Sequence, residues 1–289
     1  MTRPTVYLHD GTALPALGQG TWHMGEGRSP RKDEIAVLQR GLELGLKVID
    51  TAEMYGNGGS EEVVGEALKG RRDQAFLVSK MLPGNAGYHN VRDACERSLR
   101  RLQTETLDLY LLHWRGAASL EETIDSLGRL REEGKIQRFG VSNFDVSDMA
   151  DLQKTAFGPE CTTNQVLYHM ASRGIEYALM PEMARLGMPV MAYSPLSQGG
   201  GRHFQRLSNH PLLSEIAKHH HASVTQILLA WAIRAVNGEH RVLAIPKTSN
   251  EAHLEANVAA MDITLSPQEL ENIDGAFPPP SAKQPLDII

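Results

Sequence analysis

Cysteine is nearly missing from this sequence: Cys95 and Cys161 are the two in 289 residues, too few for a disulfide framework and without metal-ligand spacing. Cys95 falls on the apolar face of a helical pattern, where it reads as inert packing. No apolar run approaches the ~20 residues that span a bilayer, and the start, MTRPTVYLHDGTALPALG, carries no apolar segment ahead of a cleavage site. A cytoplasmic protein with no membrane partner is expected. An excess of basic charge is also missing, since 29 Lys and Arg against 35 Asp and Glu give −6, which disfavours nucleic acid as a partner. Neither G-x-G-x-x-G nor G-x-x-x-x-G-K-[ST] follows an apolar run, so the usual phosphate-binding signatures of open α/β sheets are absent. The run His219-His220-His221 reads as a solvated or capping stretch, because consecutive residues do not share a helical face. No metal is expected.

What is present is an alternation of strand and helix. After a hairpin-like opening (6–8, a turn at Asp10-Gly11, then 12–14), strand-like runs recur at 17–21, 47–51, 75–80, 107–113, 138–141, 162–166, 189–193 and 242–245. Between them lie helical periodicities, such as Val91, Ala94, Cys95, Ser98, Leu99 and Leu102, and Val224, Ile227, Leu228, Trp231 and Ala232. Ser119 with Glu122, Ser223 with Gln226, and Ser266-Pro267 with Glu269 mark helix starts as capping boxes. Strands apolar on both faces and joined by helical crossovers imply a parallel sheet. Without the open-sheet signatures, the reading is a closed (β/α)8 TIM barrel of the α/β class with an N-terminal β-hairpin cap, one domain over residues 1–289. The stretch 194–211, with Gly199-Gly200-Gly201, reads as a mobile loop, and the proline-rich tail 277–289 should lie over a face of the barrel.

Polar residues at the carboxyl ends of barrel strands face the active site. Asp50, Lys80 and His113 stand at three such ends, and Tyr55 lies in the loop after Asp50. A free phenol titrates near ~10, and a neighbouring ammonium favours the phenolate, so Lys80 should lower the pKa of Tyr55. Asp50 should in turn keep a buried Lys80 charged. Tyr55 then acts as a general acid toward an oxygen developing negative charge, and His113 donates a hydrogen bond to that oxygen. Such a site reduces a carbonyl and needs a hydride donor, for which a nicotinamide cofactor is the candidate.

The segments GLKVIDTAEMYGNGGSEEVVGEAL (45–68), LDLYLLHW (107–114), GKIQRFGVSNF (134–144), NQVLYH (164–169), YSPLS (193–197) and IPKT (245–248) closely resemble the aldo-keto reductase family. The likeness runs from about Leu8 to the C-terminus. The resemblance implies a (β/α)8 barrel that binds NADPH, with NADH as a weaker alternative, and a catalytic tetrad of Asp50, Tyr55, Lys80 and His113. It also implies Thr21 and Trp22 beside the nicotinamide, Ser142, Asn143 and Gln165 on its carboxamide, and Tyr193 stacked on the ring. Asp50 also counts among the cofactor-binding positions. Ser194, Leu196 and Ser197 would follow the pyrophosphate, Ile245, Lys247, Thr248 and Ser249 the adenosine end with its 2′-phosphate, and Asn257 the adenine. Family members selective for NADPH commonly carry arginine six residues beyond the lysine, where this chain has His253, so selectivity should lean on Lys247.

The opening GQGTWHMG (18–25) and the triplet Ala52-Glu53-Met54 are similar to a bacterial branch that includes methylglyoxal reductases. Small aldehydes and dicarbonyls are the substrates this implies, in an apolar cleft of Trp22, Tyr55, Met81, His113, Trp114 and tail residues. A monomer is expected. The competing readings are a non-catalytic NADP-binding partner subunit, a reductase mainly of sugar or keto-acid substrates, and a barrel isomerase or hydrolase. The last would need neither Tyr193 nor Lys247.

Overall fold

The computed structural model describes residues 3–88, 90–198 and 201–289. The chain opens with two short strands, β1 (Thr5–Tyr7) and β2 (Ala13–Pro15), paired antiparallel with Val6 opposite Leu14. There follow β3 (Gln19–Gly20), α1 (Arg31–Glu43), β4 (Val48–Asp50), α2 (Gly59–Ala67), β5 (Phe76–Met81), α3 (Asn90–Leu102) and β6 (Leu109–Leu112). Next come α4 (Leu120–Glu132), β7 (Phe139–Ser142), α5 (Val146–Leu152), β8 (Asn164–Leu167), α6 (Leu179–Arg185) and β9 (Val190–Tyr193). Helices α7 (Arg202–Ser208), α8 (Pro211–His219) and α9 (Val224–Ala232) precede β10 (Val242–Ala244), and α10 (Glu251–Ala259) and α11 (Pro267–Ala276) end the chain's regular structure.

Strands β3 to β10 form an eight-stranded sheet in chain order, every pair parallel. The sheet closes on itself through bridges between Leu17 and Ala244 and between Gly20 and Lys247. The amides of Gly18 and Gly20 donate to Ala244 and Pro246 at 2.9 and 3.0 Å. Only glycine fits that seam at position 20, where a Cβ would stand 2.6 Å from the Ile245 carbonyl oxygen. The expected (β/α)8 barrel is therefore the fold, with strand ends shifted by one or two residues from the sequence reading.

The hairpin caps the amino-terminal end of the barrel. Arg138, just ahead of β7, donates to Asp10 Oδ2 at 2.6 Å and Thr12 Oγ1 at 2.8 Å, while Val6, Leu8 and Leu14 bury their side chains. All six apolar-face positions read for α3 are buried, Cys95 among them, and burial pushes that thiol up to about 12. The α9 pattern is less one-sided: Val224 is half-buried, whereas Ile227 through Ala232 are all buried, because α8 and α10 cover the face turned from the sheet. The boxes at Ser223 and Ser266 form in both directions; at Ser119 only the hydroxyl accepting from the Glu122 amide is made. Gly199 and Gly200 of the glycine-rich loop lie outside the described residues. No helix among the described residues is long and apolar enough to cross a membrane.

Candidate active site

The carboxyl ends of the strands bring the four expected residues together. Lys80, on the last turn of pleat in β5, has no exposed surface, and its Nζ donates to Asp50 Oδ2 at 2.7 Å, to the Thr51 carbonyl at 2.8 Å and to Tyr55 Oη at 3.2 Å. Asp50 ends β4, and its other oxygen accepts from Gln165 Nε2 of β8 at 2.7 Å. The Tyr55 loop is pinned from behind by Glu53, whose Oε1 accepts from the Leu82 amide at 2.6 Å and from Asn85 Nδ2 at 2.7 Å. His113, just beyond β6, packs edge-on against Tyr55, with ring centroids 5.8 Å apart. Its Nδ1 is buried and has no partner among the described residues.

Burial opposes charge on each of these groups, and the neighbours decide the outcome. Burial alone would lower the Lys80 ammonium, but the Asp50 carboxylate and the Tyr55 phenol outweigh it, so its pKa is raised and it stays protonated. Burial drives the Asp50 carboxyl upward while Lys80 and Gln165 draw it back. The Lys80 direction governs, because an ammonium at 2.7 Å with its other donors satisfied holds the carboxylate ionised. For Tyr55 the sequence expectation is corrected. Lys80 does pull its pKa down, yet burial is the larger effect and Asp50 adds to it, leaving the phenol raised above 10.0. Burial, with Lys80 nearby, lowers His113 to about 2, so the imidazole is neutral.

These groups floor a cleft of about 1010 Å³ that runs along the carboxyl-terminal face. Trp22 and Trp114 stand at one end, each 38% exposed, with Ile288 and Ile289 of the tail beside them. The tail thus lies over the face that the sequence assigned to it. Thr21, Ser142, Asn143, Gln165, Tyr193, Ser194, Leu196, Ser197 and Ile245 line the middle, and Lys247, Thr248, His253 and Asn257 the far end. Asn143 donates to the His113 carbonyl at 3.2 Å and accepts from Tyr193 Oη at 2.9 Å, which ties β7, β9 and the His113 backbone into one rigid wall.

Two expected residues sit elsewhere. Met81 is fully buried in the core and does not line the cleft, because it follows Lys80 on β5 and alternate residues point to opposite faces of a strand. Ser249 lies behind Lys247, its Oγ 2.9 Å from Ser29 Oγ and 3.5 Å from Lys247 Nζ. The sequence reading missed Arg28, Met54, Gln198 and Phe204, all lining the cleft. The signal for Arg28 was its place in the first loop after a barrel strand, where functional residues gather.

The donor set suits an elongated anion. Ser194 and Ser197 hold left-handed backbone, φ +48° and +67°, so the loop after β9 turns sharply and presents amides rather than bulky side chains to the cleft. Lys247 reaches solvent at the far end, crowded by the cleft walls; that desolvation lowers its ammonium from the ordinary lysine value, with Arg28 adding to the effect and Glu34 and Glu26 opposing it.

A second cluster corrects another sequence reading. His219 Nδ1 and His220 Nε2 both reach Glu269 Oε1, at 2.9 and 3.0 Å. Consecutive residues converge here because His220 is already the C-cap of α8, where the helical spacing ends. Glu269 is also the returning half of the Ser266 capping box, and the trio ties α8 to α11.

Residues 16–277 match the model of the aldo/keto reductase family. The chain is 50% identical over all 289 residues of both proteins to the methylglyoxal reductase YeaE of Escherichia coli (strain K12). It is 34% identical to the glyoxal reductase of Bacillus subtilis (strain 168), covering 94% of this chain and 92% of that one. The crystal structure of an aldo-keto reductase from Klebsiella pneumoniae in complex with NADPH superposes with a TM-score of 0.96 at 50% identity over the whole of both chains. With the barrel, the four converging side chains and these matches together, the chain belongs to the aldo/keto reductase family and is an NAD(P)-dependent oxidoreductase.

Proposed function

We propose that this protein reduces small aldehydes and α-dicarbonyls of the methylglyoxal kind to alcohols with NADPH, taking the proton from Tyr55. The observation that carries the reading is the Lys80 ammonium held between Asp50 and the Tyr55 phenol at the floor of the cleft. A reduced nicotinamide supplies hydride to the carbonyl carbon when bound. Tyr55 Oη–H gives its proton to the carbonyl oxygen as negative charge gathers there, and the new O–H bond completes the alcohol. Lys80 stabilises the phenolate that is left, and Asp50, held by Gln165, keeps Lys80 charged through the step. His113, neutral, offers one N–H to the same oxygen.

The rest of the cleft supports the cofactor and the substrate size. Its left-handed Ser194 and Ser197 and its cationic far end fit a pyrophosphate followed by a phosphate ester. Trp22, Trp114 and Ile288 make a small apolar mouth that favours short carbonyl compounds over sugars. The similarity to methylglyoxal and glyoxal reductases points the same way. The test is NADPH oxidation by the purified protein with methylglyoxal, glyoxal, aromatic aldehydes, aldoses and keto acids. Highest kcat/KM for the dicarbonyls is expected. Turnover of aldoses or keto acids alone would overturn the substrate assignment, and no turnover of any carbonyl despite cofactor binding would overturn the reductase reading itself.

A further inference from the structure

The 2′-phosphate of NADPH is a compact dianion, and one lysine leaves it half neutralised. His253, at the sequence position where arginine would have been the second partner, lines the cleft but offers no guanidinium fork. A guanidinium does reach the same end of the cleft from the opposite wall. Arg28 comes from the loop between β3 and α1, and both it and Lys247 border the cavity.

The path of that loop is fixed at several points. Gly25 has φ +76° and packs so tightly on α2 that a Cβ would lie 2.4 Å from the Gly59 carbonyl carbon. Its amide donates to Glu34 Oε2 at 3.0 Å. One residue past Arg28, Ser29 Oγ meets Ser249 Oγ at 2.9 Å, across from the strand end that carries Lys247. The loop is thereby latched to the opposite wall at the place where the two cations meet. Arg28 itself is 60% exposed and is engaged by Glu26, Nε to Oε2 at 3.0 Å; Glu26 also holds His23 Nδ1 at 2.8 Å. The guanidinium thus has further N–H donors to offer, and a single carboxylate on its own loop holds it in reserve.

Building on the NADPH reading above, we propose that Arg28 is the second cation of the 2′-phosphate subsite, standing in from the first βα loop for the arginine missing at His253. The Ser29–Ser249 contact holds it across from Lys247. Selectivity for NADPH is then shared between two walls of the cleft rather than carried by the loop after β10 alone.

Equilibrium titrations of wild type, Arg28→Gln, Arg28→Lys and Glu26→Gln with NADPH, NADH and adenosine 2′-monophosphate, followed by calorimetry, test this without any turnover. A charge-assisted hydrogen bond of ordinary strength predicts that Arg28→Gln weakens NADPH and adenosine 2′-monophosphate by about tenfold to hundredfold and leaves NADH within about twofold. Arg28→Lys should recover part of the loss. Glu26→Gln, which frees the guanidinium, should tighten NADPH and not NADH. Unchanged NADPH affinity in Arg28→Gln, or equal weakening of both cofactors, would overturn the assignment. Failure of the wild type to distinguish NADPH from NADH would instead sink the cofactor reading on which it rests.

Discussion

Gln165 on β8 donates its side-chain N–H to Asp50 on β4 at 2.7 Å, so the carboxylate that keeps Lys80 charged is itself held from the far side of the barrel. The strands between them cannot supply this contact, since the two residues meet only because the sheet is closed. Replacing Gln165 by Leu leaves a buried carboxylate oxygen without its donor. A stability loss of about 1–3 kcal/mol is expected, together with a lower kcat. Urea unfolding and steady-state kinetics check it; wild-type stability in Gln165→Leu would mean that water replaces the amide at no cost.

Tyr55→Phe removes the proton donor and leaves the ring. A positioned acid contributes about 10²–10⁴-fold, so kcat should fall by that range while the Kd for NADPH is kept. Turnover near that of wild type would take the acid role away from Tyr55.

Lys80→Met tests the charge beneath the phenol. Asp50 would remain buried, unpaired and almost without exposed surface, and breaking a buried pair from one side costs about 3–5 kcal/mol. Activity should collapse alongside stability. A variant such as Asp50→Asn with Lys80→Met restores neutrality to the pair; it should regain stability and stay inactive, which separates folding from catalysis.

The pH dependence of reduction follows from the directions of the shifts. Tyr55 must be protonated to act, and its pKa lies above 10.0; His113 must be neutral, and it takes up a proton only near 2. With cofactor and substrate saturating, kcat should therefore hold level from about pH 5 to about pH 9. A descending limb near neutral pH in a single-turnover measurement would show that Lys80 overcomes burial and makes the phenol acidic. That outcome is the one the sequence alone suggested. Lys80 and Asp50 could be placed beside Tyr55 from strand order and loop position, but the depth of burial that reverses the shift depends on how the whole face packs. For the same reason Met81 was misplaced: the reading took it as the neighbour of Lys80 at the rim, and strand alternation sends it into the core. The barrel itself was legible, since β-strand runs, α3 periodicity and two complete capping boxes are local signals. Arg28 was not, because nothing in a loop sequence says which wall of a cleft it will face.

A different pH effect should appear in stability. Burial would raise the Glu269 carboxyl, but the Ser266 backbone, His219 and His220 outweigh it and bring it from 4.5 to about 2. A carboxylate depressed in the folded state stabilises above its unfolded value and loses that stabilisation as pH falls from 4.5 through about 2. The stake is about 3 kcal/mol at neutral pH, lost across that window. Unfolding free energies at pH 2.5 to 7 for wild type and Glu269→Gln should converge at the acid end and separate above about pH 4.5. Parallel curves would show that Glu269 is no more acidic folded than unfolded.

Lys247 gives the last test, because two walls now share one phosphate. The lysine is a point charge on a flexible stem, whereas Arg28 offers a planar fork, so the two contribute through different geometry to the same dianion. Lys247→Met should weaken NADPH by about one to two orders of magnitude and leave NADH nearly unchanged. If both cations reach the phosphate together, Lys247→Met and Arg28→Gln are coupled, and the double variant loses less than the product of the single losses. Such coupling is expected of residues that share a partner, whereas distant, independent sites add. Four dissociation constants for NADPH complete the cycle, and the same four for NADH serve as the control. Strict additivity would separate the two cations in space and return the 2′-phosphate to Lys247 alone. Equal weakening of NADH and NADPH by Lys247→Met would move the lysine to the pyrophosphate and require the adenosine end of the cleft to be redrawn.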